Sequence, residues 1–553
     1  MGVRDEAAEM VVSQQLPDAA RSDSSGTVTP PASTDETPTA FALLDSAQFS
    51  SKHLLTIIVA GLGFFADSYD LFIINLLIPV LGYVYFGSPI LPSTGLSLLT
   101  ASAQAGAILG QLIFGVLSDV WGRKALYGTE LMIVIVGTIG SAMCGPTVSG
   151  VSILTMLSIW RFVVGFGVGG DYPMAACISS EFATVKNRGL MMGLVFSMQG
   201  LGTLTGIVVA LATLALWKQE IESGNVAAFD HVWRICVVFC IIPGIATLYF
   251  RLTIPESPRY TLEVSGDVEG ATRDAHQFLS KGNTTAAEGE TLNIIGDSKD
   301  EVTKTKPETQ GFVHNWSNFK EFWTDEVNVF TFIGTAGPWF LIDVAIYGLG
   351  LNNTLILNAI GFGDSPDPWT NVYNLTIGNL IISMLGNLPG YFLGAFFLDR
   401  IGRRNLQLLG FGGQVIMYTI LATGYDKILE TSIAAFMVLY ATAQIFNNFG
   451  ANLTTFIIAA EAYPTRYRST GHGLSAACGK IGALIASYGF SHLKDAIGLG
   501  NTLGILAGVM ALGFINTYLF TPETGNVGLE DLQKNLSSTP AMKAFGRRGV
   551  ALR

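Results

Sequence analysis

Apolar stretches of about twenty residues recur along the chain from Leu54 onward, separated by short polar segments. About 20 apolar residues are what an α-helix needs to cross the ~30 Å hydrocarbon core of a bilayer. About twelve stretches fit this pattern: 54–80, 97–117, 126–144, 152–179, 189–216, 233–252, 327–350, 371–397, 405–423, 433–459, 471–491 and 501–520. The pattern predicts an all-α integral membrane protein with twelve transmembrane helices.

Three polar regions lie outside these stretches and predict the domain organisation. Residues 1–50 are rich in Ser, Thr, Pro, Asp and Ala and lack an apolar face, which is typical of a disordered tail. Residues 253–326 are polar and separate a half at 51–252 from a half at 327–525, so we expect a flexible linker there. An amphipathic surface helix is predicted at Asn315–Trp323, and residues 526–553 form a second tail.

Composition supports a membrane protein. Of the 553 residues, 50% are hydrophobic and only 13% charged, too few charges to cover the surface of a soluble protein of this size. The 63 glycines fit close helix packing within a bilayer. The five cysteines lie in apolar stretches without metal-ligand spacing, so we interpret them as packing residues and expect no bound metal.

Basic residues in the short loops predict the orientation. Four loops are rich in Lys and Arg, and they alternate with loops poor in both: Asp119–Lys124, Lys186–Arg188, Asp399–Arg404 and Arg466–Arg468. Because basic loops stay on the cytoplasmic side, these loops and both termini are predicted to face the cytoplasm.

The two predicted halves repeat each other. Gly402 stands 280 positions after Gly122 within similar Gly-Asp-Gly-Arg segments, and Glu461 stands 280 positions after Glu181. A duplicated six-helix unit in one orientation is the plan of major facilitator transporters. The sequence therefore predicts two six-helix halves with that fold.

Carboxylates and arginines at the ends of these repeated helices predict a cytoplasmic gate of ion pairs. Its candidate residues are Asp119, Arg123, Glu181, Arg188, Asp399, Arg403, Glu461 and Arg468. The simpler alternative is that the basic residues only anchor the loops at the membrane surface.

Several ionisable residues fall inside the apolar stretches: Asp67, Asp70, Arg161, Asp171, Asp343 and Lys480. A charge at the bilayer centre is costly, so each such residue is a candidate for function. Structural pairs or helix caps are the alternative, although Arg161 and Asp171 lie ten residues and ~15 Å apart along one helix, too far for direct contact. Glu130 either shares this role or extends to the membrane surface.

Family motifs connect these residues. The segment Gly169–Ala175, reading GGDYPMA and followed by Ser180-Glu181, resembles the GGDYPLSA signature of the plant and fungal phosphate:proton symporters. Further matches cover most of 54–525: Phe64–Phe72, Phe196–Gly200, Trp339–Asp343, Tyr347–Asn352, Asn448–Asn452 and Ala476–Lys480. The chain is identified by this resemblance as a member of that family within the major facilitator superfamily.

The resemblance implies a site and a function. Inorganic phosphate would bind between the halves at Tyr172, Gln199, Trp339, Asp343, Tyr347, Asn452 and Lys480. Protons would be carried with the help of Asp67, Asp70, Arg161 and Asp171. Phosphate and protons would be the transported partners, the surrounding lipid would be that of the plasma membrane, and no cofactor is implied.

Physical chemistry is compatible with this interpretation. Trp339, Asp343 and Tyr347 are spaced by four and form one stripe on a helix, which could also be interhelical packing alone. A carboxylate such as Asp343 accepts the hydroxyl protons of monobasic phosphate, which sulfate lacks. Ionised Asp67, Asp70 and Asp171 would repel an anion, so protonation would favour phosphate binding, and this positive linkage is what symport requires.

Alternatives remain open. A facilitator that carries an organic phosphate or a sugar would share the fold, and a phosphate receptor with little transport would need a partner-binding segment in 253–326 or the tails. An enzyme is not indicated, and a phosphate-binding loop ending in Gly-Lys-Ser/Thr is absent from the sequence, as is any nucleic-acid-binding motif. The oligomeric state is left open.

Overall fold

The computed structural model describes residues 51–145, 151–184, 186–253, 256–273 apart from 265, 269 and 272, and 320–525 apart from 321, together with isolated positions after 525. The predicted tail at 1–50, most of the predicted linker and most of the predicted amphipathic helix lie outside these residues.

Twelve long helical segments make up the described part of the chain. They are α1 Ser51–Phe86, α2 Ser93–Trp121, α3 Thr129–Ala142, α4 Ile153–Glu181, α5 Arg188–Leu216, α6 Phe229–Phe239 with Ile241–Thr253, α7 Glu326–Gly350, α8 Pro368–Ile401, α9 Arg403–Thr423, α10 Ile433–Glu461, α11 Arg468–Ile497 and α12 Leu499–Phe520. All twelve predicted stretches are helical. Several helices extend beyond the apolar stretch, since helical hydrogen bonding continues past the hydrocarbon core.

Eleven of these helices are long and apolar enough to cross a membrane. The exception is α11, whose 30 residues include His472, Lys480 and Lys494 and have a lower mean hydropathy. It packs along α2 and α7 like a spanning helix, and its residues His472 and Lys480 are buried against protein.

Local sequence fixes several helix starts. The Asp325 side chain accepts a hydrogen bond from the Val327 amide at 2.9 Å and caps α7. Asp367 caps α8 in the same way through the Thr370 amide at 2.8 Å, and Pro368 occupies the first helical position, where a missing N–H has no cost.

Two helix pairs join the halves, α2 with α11 and α5 with α8. Gly115 faces Gly473 in the first crossing, and Gly193 faces Ala395 in the second. A side-chain carbon added at Gly193 would lie 2.9 Å from the Cα of Ala395, closer than packed carbons allow. Small residues therefore set the close approach of the two halves.

α8 and α10 share a further feature, a π-helical segment in the middle of each. The segments are Ser383–Asn387 in α8 and Asn447–Asn452 in α10. A π-helical turn widens the helix by one residue and re-aims the neighbouring side chains, and such turns are frequent at functional sites.

Candidate functional site

Lys480 lies at the centre of the molecule between the halves. Its ammonium donates a hydrogen bond to Asp343 Oδ2 at 2.9 Å and another to the Tyr347 hydroxyl at 2.8 Å. It also lies 5.3 Å from the ring centroid of Tyr172 on the opposite half. Lys480 and Asp343 are each 1% exposed, so this charge pair is shielded from water.

A chain of hydrogen bonds runs beside this pair from one half to the other. Gln199 Nε2 donates to the Tyr172 hydroxyl at 3.2 Å, and the Tyr391 hydroxyl donates to Gln199 Oε1 at 3.5 Å. Asn452 Nδ2 donates to the Tyr391 oxygen at 3.2 Å. The sequence had singled out Tyr172, Gln199 and Asn452. Tyr391, which links them, was missed because a tyrosine in an apolar stretch carries no distinguishing pattern.

Trp339 completes the predicted set on the side where α7 begins. It packs edge-on against His472 with 5.3 Å between ring centroids and lies against Gly479, next to Lys480. His472 in turn contacts Phe456 at 5.3 Å, and Phe456 stacks on Phe196 at 4.8 Å. The structure thus brings all seven predicted binding residues around one centre, with an aromatic layer beneath them.

Asp70 and Arg161 form the first of two buried charge clusters in the N-terminal half. Arg161 Nη1 lies 3.7 Å from Asp70 Oδ1, and the Thr138 hydroxyl donates to Asp70 Oδ2 at 2.8 Å. Arg161 therefore pairs with Asp70 on α1. It does not pair with Asp171, in agreement with the ~15 Å that separates Arg161 from Asp171 along α4.

Asp171 belongs to the second cluster, which sequence reasoning had not anticipated. Arg251 on α6 donates two hydrogen bonds of 2.8 Å to the two oxygens of Asp171 and one of 2.7 Å to Glu130. Glu130 is fully buried, so the alternative that it extends to the membrane surface is wrong. Asp67 lies beside Asp171, and its Oδ2 has no hydrogen-bond partner among the described residues.

Arg251 was overlooked because it stands near the end of α6, where a cation normally reaches the membrane surface. Its two carboxylate partners come from α3 and α4, and no spacing within the sequence relates them to Arg251. The only indication in the sequence was that the apolar stretches contain more carboxylates than cations.

The predicted gate residues Asp119, Arg123 and Glu181 meet Arg468 near the ends of α2 and α4 and the start of α11. Glu181 contacts Arg123 at 3.2 Å and, across the two halves, Arg468 at 3.0 Å. Asp119 lies 3.2 Å from Arg123 and accepts a hydrogen bond of 2.7 Å from the amide of Thr470 on α11.

The C-terminal half repeats this arrangement. Glu461 contacts Arg403 at 3.2 Å and, across the halves, Arg188 at 2.7 Å. Asp399 lies 2.7 Å from Arg403 and accepts a hydrogen bond of 2.9 Å from the Leu190 amide on α5. The eight gate residues thus form two equivalent clusters that tie the halves together.

Each cluster is flanked by a glutamate that sequence reasoning did not include. Glu256 accepts hydrogen bonds from the backbone amides of Arg123 and Lys124, and Glu523 accepts them from Arg403 and Arg404. Burial raises the pKa of the Glu256 carboxyl, and its backbone hydrogen bonds oppose that shift. The start of the predicted linker is therefore ordered against the gate, where the Tyr260 ring also lies 4.4 Å from the Arg123 guanidinium.

Comparisons with known proteins agree on the family. Residues 55–536 match the family described as sugar (and other) transporter. A repressible high-affinity phosphate permease of Neurospora crassa is 40% identical, with 89% of this chain and 88% of the relative aligned. An inorganic phosphate transporter of Saccharomyces cerevisiae is 39% identical over 89% of this chain and 86% of its own. A probable inorganic phosphate transporter of Arabidopsis thaliana is 35% identical over 88% and 95%.

A solved structure shares the fold. The proton:xylose symporter XylE aligns with a TM-score of 0.67 at 20% identity, over 88% of this chain and 99% of that chain. The predicted twelve-helix facilitator fold is confirmed. The chain therefore belongs to the sugar (and other) transporter family of the major facilitator superfamily, in the group of fungal and plant inorganic phosphate transporters.

Proposed function

We propose that this protein imports inorganic phosphate together with protons by alternating access. The observation that carries the proposal is the central cation: Lys480 lies between the halves, paired only with Asp343 and Tyr347 in hydrogen-bonding distance among the described residues. An ammonium in that position is a ready partner for an oxyanion. The relatives named as phosphate transporters support phosphate as that oxyanion.

Phosphate would bind by entering the Lys480–Asp343 pair. The ammonium attracts the anion, while the hydroxyls of Tyr172 and Tyr347 and the carboxamides of Gln199 and Asn452 donate hydrogen bonds to its oxygens. Asp343 would accept a hydrogen bond from a phosphate hydroxyl, which distinguishes phosphate from sulfate. Trp339 would close the site from the cytoplasmic side.

Proton coupling would act through the carboxylates of the N-terminal half. Asp70 is balanced by Arg161 and Asp171 by Arg251, whereas one oxygen of Asp67 has no partner among the described side chains. We assign the transported proton to the pair of Asp67 and Asp171. With this proton bound, the two carboxylates carry one negative charge instead of two and repel the incoming anion less, so phosphate and proton would bind with positive linkage.

The two ion-pair clusters would form the cytoplasmic gate. Opening it requires Glu181 to release Arg468 and Glu461 to release Arg188, while the pairs within each half remain. We further propose that the gate, both termini and the linker at 253–326 face the cytoplasm, that the halves are 51–252 and 327–525, and that the protein resides in the plasma membrane.

Substrate competition tests this proposal. Purified protein is reconstituted into proteoliposomes, and uptake of labelled phosphate is measured with an excess of unlabelled phosphate, arsenate, sulfate, glycerol phosphate or xylose. Phosphate and its isostere arsenate should compete, and sulfate and xylose should not. Competition by xylose would favour the sugar alternative, competition by glycerol phosphate an organic phosphate carrier, and binding without uptake the receptor.

A further inference from the structure

A second polar cavity lies between the halves, on the side of Lys480 that faces away from the gate. Its volume is about 50 Å³. On α1 it is lined by Phe72–Leu76, which follow Asp67, and on α7 by residues up to Gly350 at the end of the helix. Because α1 and α7 both begin at the gate side, the cavity lies toward the opposite membrane face.

Uncharged hydrogen-bonding side chains dominate its wall, so we call it the amide cavity. Ten of its lining residues carry an amide or hydroxyl group, among them Asn75, Asn379, Ser383, Asn387, Gln444 and Asn447. Asn75 donates to Asn379 at 3.0 Å, and Asn447 donates to Gln444 at 3.1 Å. No lysine, arginine, aspartate or glutamate is among the lining residues.

Two polar atoms of this wall lack a partner. Ser383 Oγ and Asn447 Oδ1 make no hydrogen bond to any described residue, although the two residues are 1% and 2% exposed. Buried polar atoms without partners are destabilising, so a side-chain rotation that brings these two atoms into contact with a polar occupant of the cavity would be favourable.

The two π-helical segments create this wall. Ser383 and Asn387 belong to the segment in α8, and Asn447 belongs to the segment in α10. Asn448 Nδ2 on α10 donates to Asn387 Oδ1 on α8 at 3.1 Å, so the segments face each other. The cavity also reaches the binding residues, because Tyr391 lines it and bonds to Gln199 and Asn452.

Its size admits an oxyanion. One water molecule needs about 10–15 Å³ of such space, so about 50 Å³ accommodates several waters or the five heavy atoms of one phosphate ion.

We propose that the amide cavity is a second, weaker phosphate subsite, through which the ion passes from outside before it reaches Lys480. The inference rests on the proposed function and adds a site to it. Carboxamide N–H groups and the Ser383 hydroxyl donate to phosphate oxygens, and Asn447 Oδ1 accepts from a phosphate hydroxyl. A wall without charge holds the anion weakly, as a transit site requires, since an ion must be able both to enter and to leave.

Two variants of the wall test the inference, Asn447→Leu and Ser383→Ala, with Asn501→Leu on the exposed face of α12 as the matched control. Initial rates of phosphate uptake are measured over a range of external phosphate. Loss of about 1.4 kcal/mol at the subsite corresponds to a tenfold higher KM for Asn447→Leu, and we expect a smaller rise for Ser383→Ala. The maximal rate should change little, and the control should behave like the unchanged protein.

Equilibrium titration of the solubilised protein with phosphate distinguishes the two sites. The unchanged protein should bind phosphate in a tight and a weak step. Ser383→Ala should lower the affinity of the weak step, and Lys480→Gln should abolish the tight one. An unchanged KM together with an unchanged weak step in Ser383→Ala would overturn the inference and leave a water-filled cavity. If Asn447→Leu does not fold, Ser383→Ala alone decides. Absence of phosphate uptake by the unchanged protein would refute the proposed function instead.

Discussion

At the scale of single residues, the central question is how a lysine is kept in the middle of a membrane protein. Lys480 has one carboxylate partner, Asp343, at 2.9 Å, and both are buried. Removing one member of a buried pair leaves the other charge without compensation, which is more costly than removing both. Without an anion in the site, the two charges therefore compensate each other. An anion that enters can replace Asp343 as the partner of the Lys480 ammonium.

The first prediction concerns this pair. Lys480→Gln should lower the free energy of unfolding by about 3–5 kcal/mol, because Asp343 is left as an unpaired buried charge. The double variant Lys480→Gln with Asp343→Asn should recover much of that loss and remain unable to transport phosphate. Thermal unfolding in detergent, with uptake measured in parallel, checks both.

The matched control is Lys218→Gln, since Lys218 pairs with Glu222 at 3.6 Å with its side chain 47% exposed. Exposed pairs contribute about 0–1 kcal/mol, so this variant should unfold almost like the unchanged protein. A Lys480→Gln protein as stable as this control would show that the central pair is not maintained as a buried charge pair.

The second prediction concerns Arg251. Arg251→Gln leaves Asp171 and Glu130 buried without their cation and should destabilise the protein by about 3–5 kcal/mol. Adding Glu130→Gln should restore part of the stability. Arg234→Gln on the same helix is the comparison, because the side chains of Arg234 and Asp230 are 27% and 30% exposed, so water compensates part of the lost pairing and the loss should be clearly smaller. Equal losses in the two arginine variants would contradict the assignment.

Residues with an unusual type for their position were predictable from the sequence. Asp67, Asp343 and Lys480 are conspicuous because charges are rare in apolar stretches. The residues around them were harder to predict, because Arg251 stands at a helix end where arginine is common and Tyr391 is one aromatic residue among many. Which side chains meet across helices depends on packing that a single sequence does not specify.

At the scale of helices, the apolar stretches predicted every spanning segment, including α11 despite its polar residues. The π-helical segments were not predicted, because the residue types in Ser383–Asn387 and Asn447–Asn452 also occur in regular α-helices. Their extra residue per turn is selected by the facing contact between α8 and α10. That contact exists only once the helices are packed.

The third prediction concerns the helix ends at the gate. Glu181→Gln and Glu461→Gln each remove the charge that holds an arginine of the other half, so they should shift the protein toward the state open to the cytoplasm. Cys177 is fully buried beside Glu181 and reports on this opening. In a protein that keeps only this cysteine, each variant should raise its labelling rate by about fivefold or more, the lower range of typical coupling energies.

Labelling with a membrane-permeant maleimide measures this rate. Glu222→Gln, at the exposed end of a short helix after α5, is the control and should leave the rate unchanged. If neither gate variant exceeds that control, the two clusters do not hold the cytoplasmic side closed.

At the scale of the whole molecule, the offset of 280 positions that relates the repeats also relates the contacts between halves. The contact of Arg468 with Glu181 corresponds to that of Arg188 with Glu461. The hydrogen bond that Asp119 accepts from the start of α11 corresponds to the one that Asp399 accepts from the start of α5. A repeat visible in the sequence therefore predicted the symmetry of the gate. The central charge pair does not follow this symmetry, because Lys480 and Asp343 both belong to the C-terminal half.

The proposed alternating access would use this division. The proposed gate would open by separating a few ion pairs on one side, whereas the small residues of α2, α5, α8 and α11 would let the halves stay in contact as they move. Phosphate at Lys480 and protons near Asp67 would bind on facing sides of the same boundary, so the occupancy of one affects the other.

The most direct test of the central claim is uptake of labelled phosphate into proteoliposomes, with and without an inward proton gradient. The unchanged protein and Asp426→Asn, an exposed control, should take up phosphate only with the gradient. Asp343→Asn should lose about tenfold or more of this uptake, which corresponds to ~1.4 kcal/mol or more of lost binding. Uptake that is indifferent to the gradient, or undiminished in Asp343→Asn, would contradict proton-coupled phosphate transport through this site.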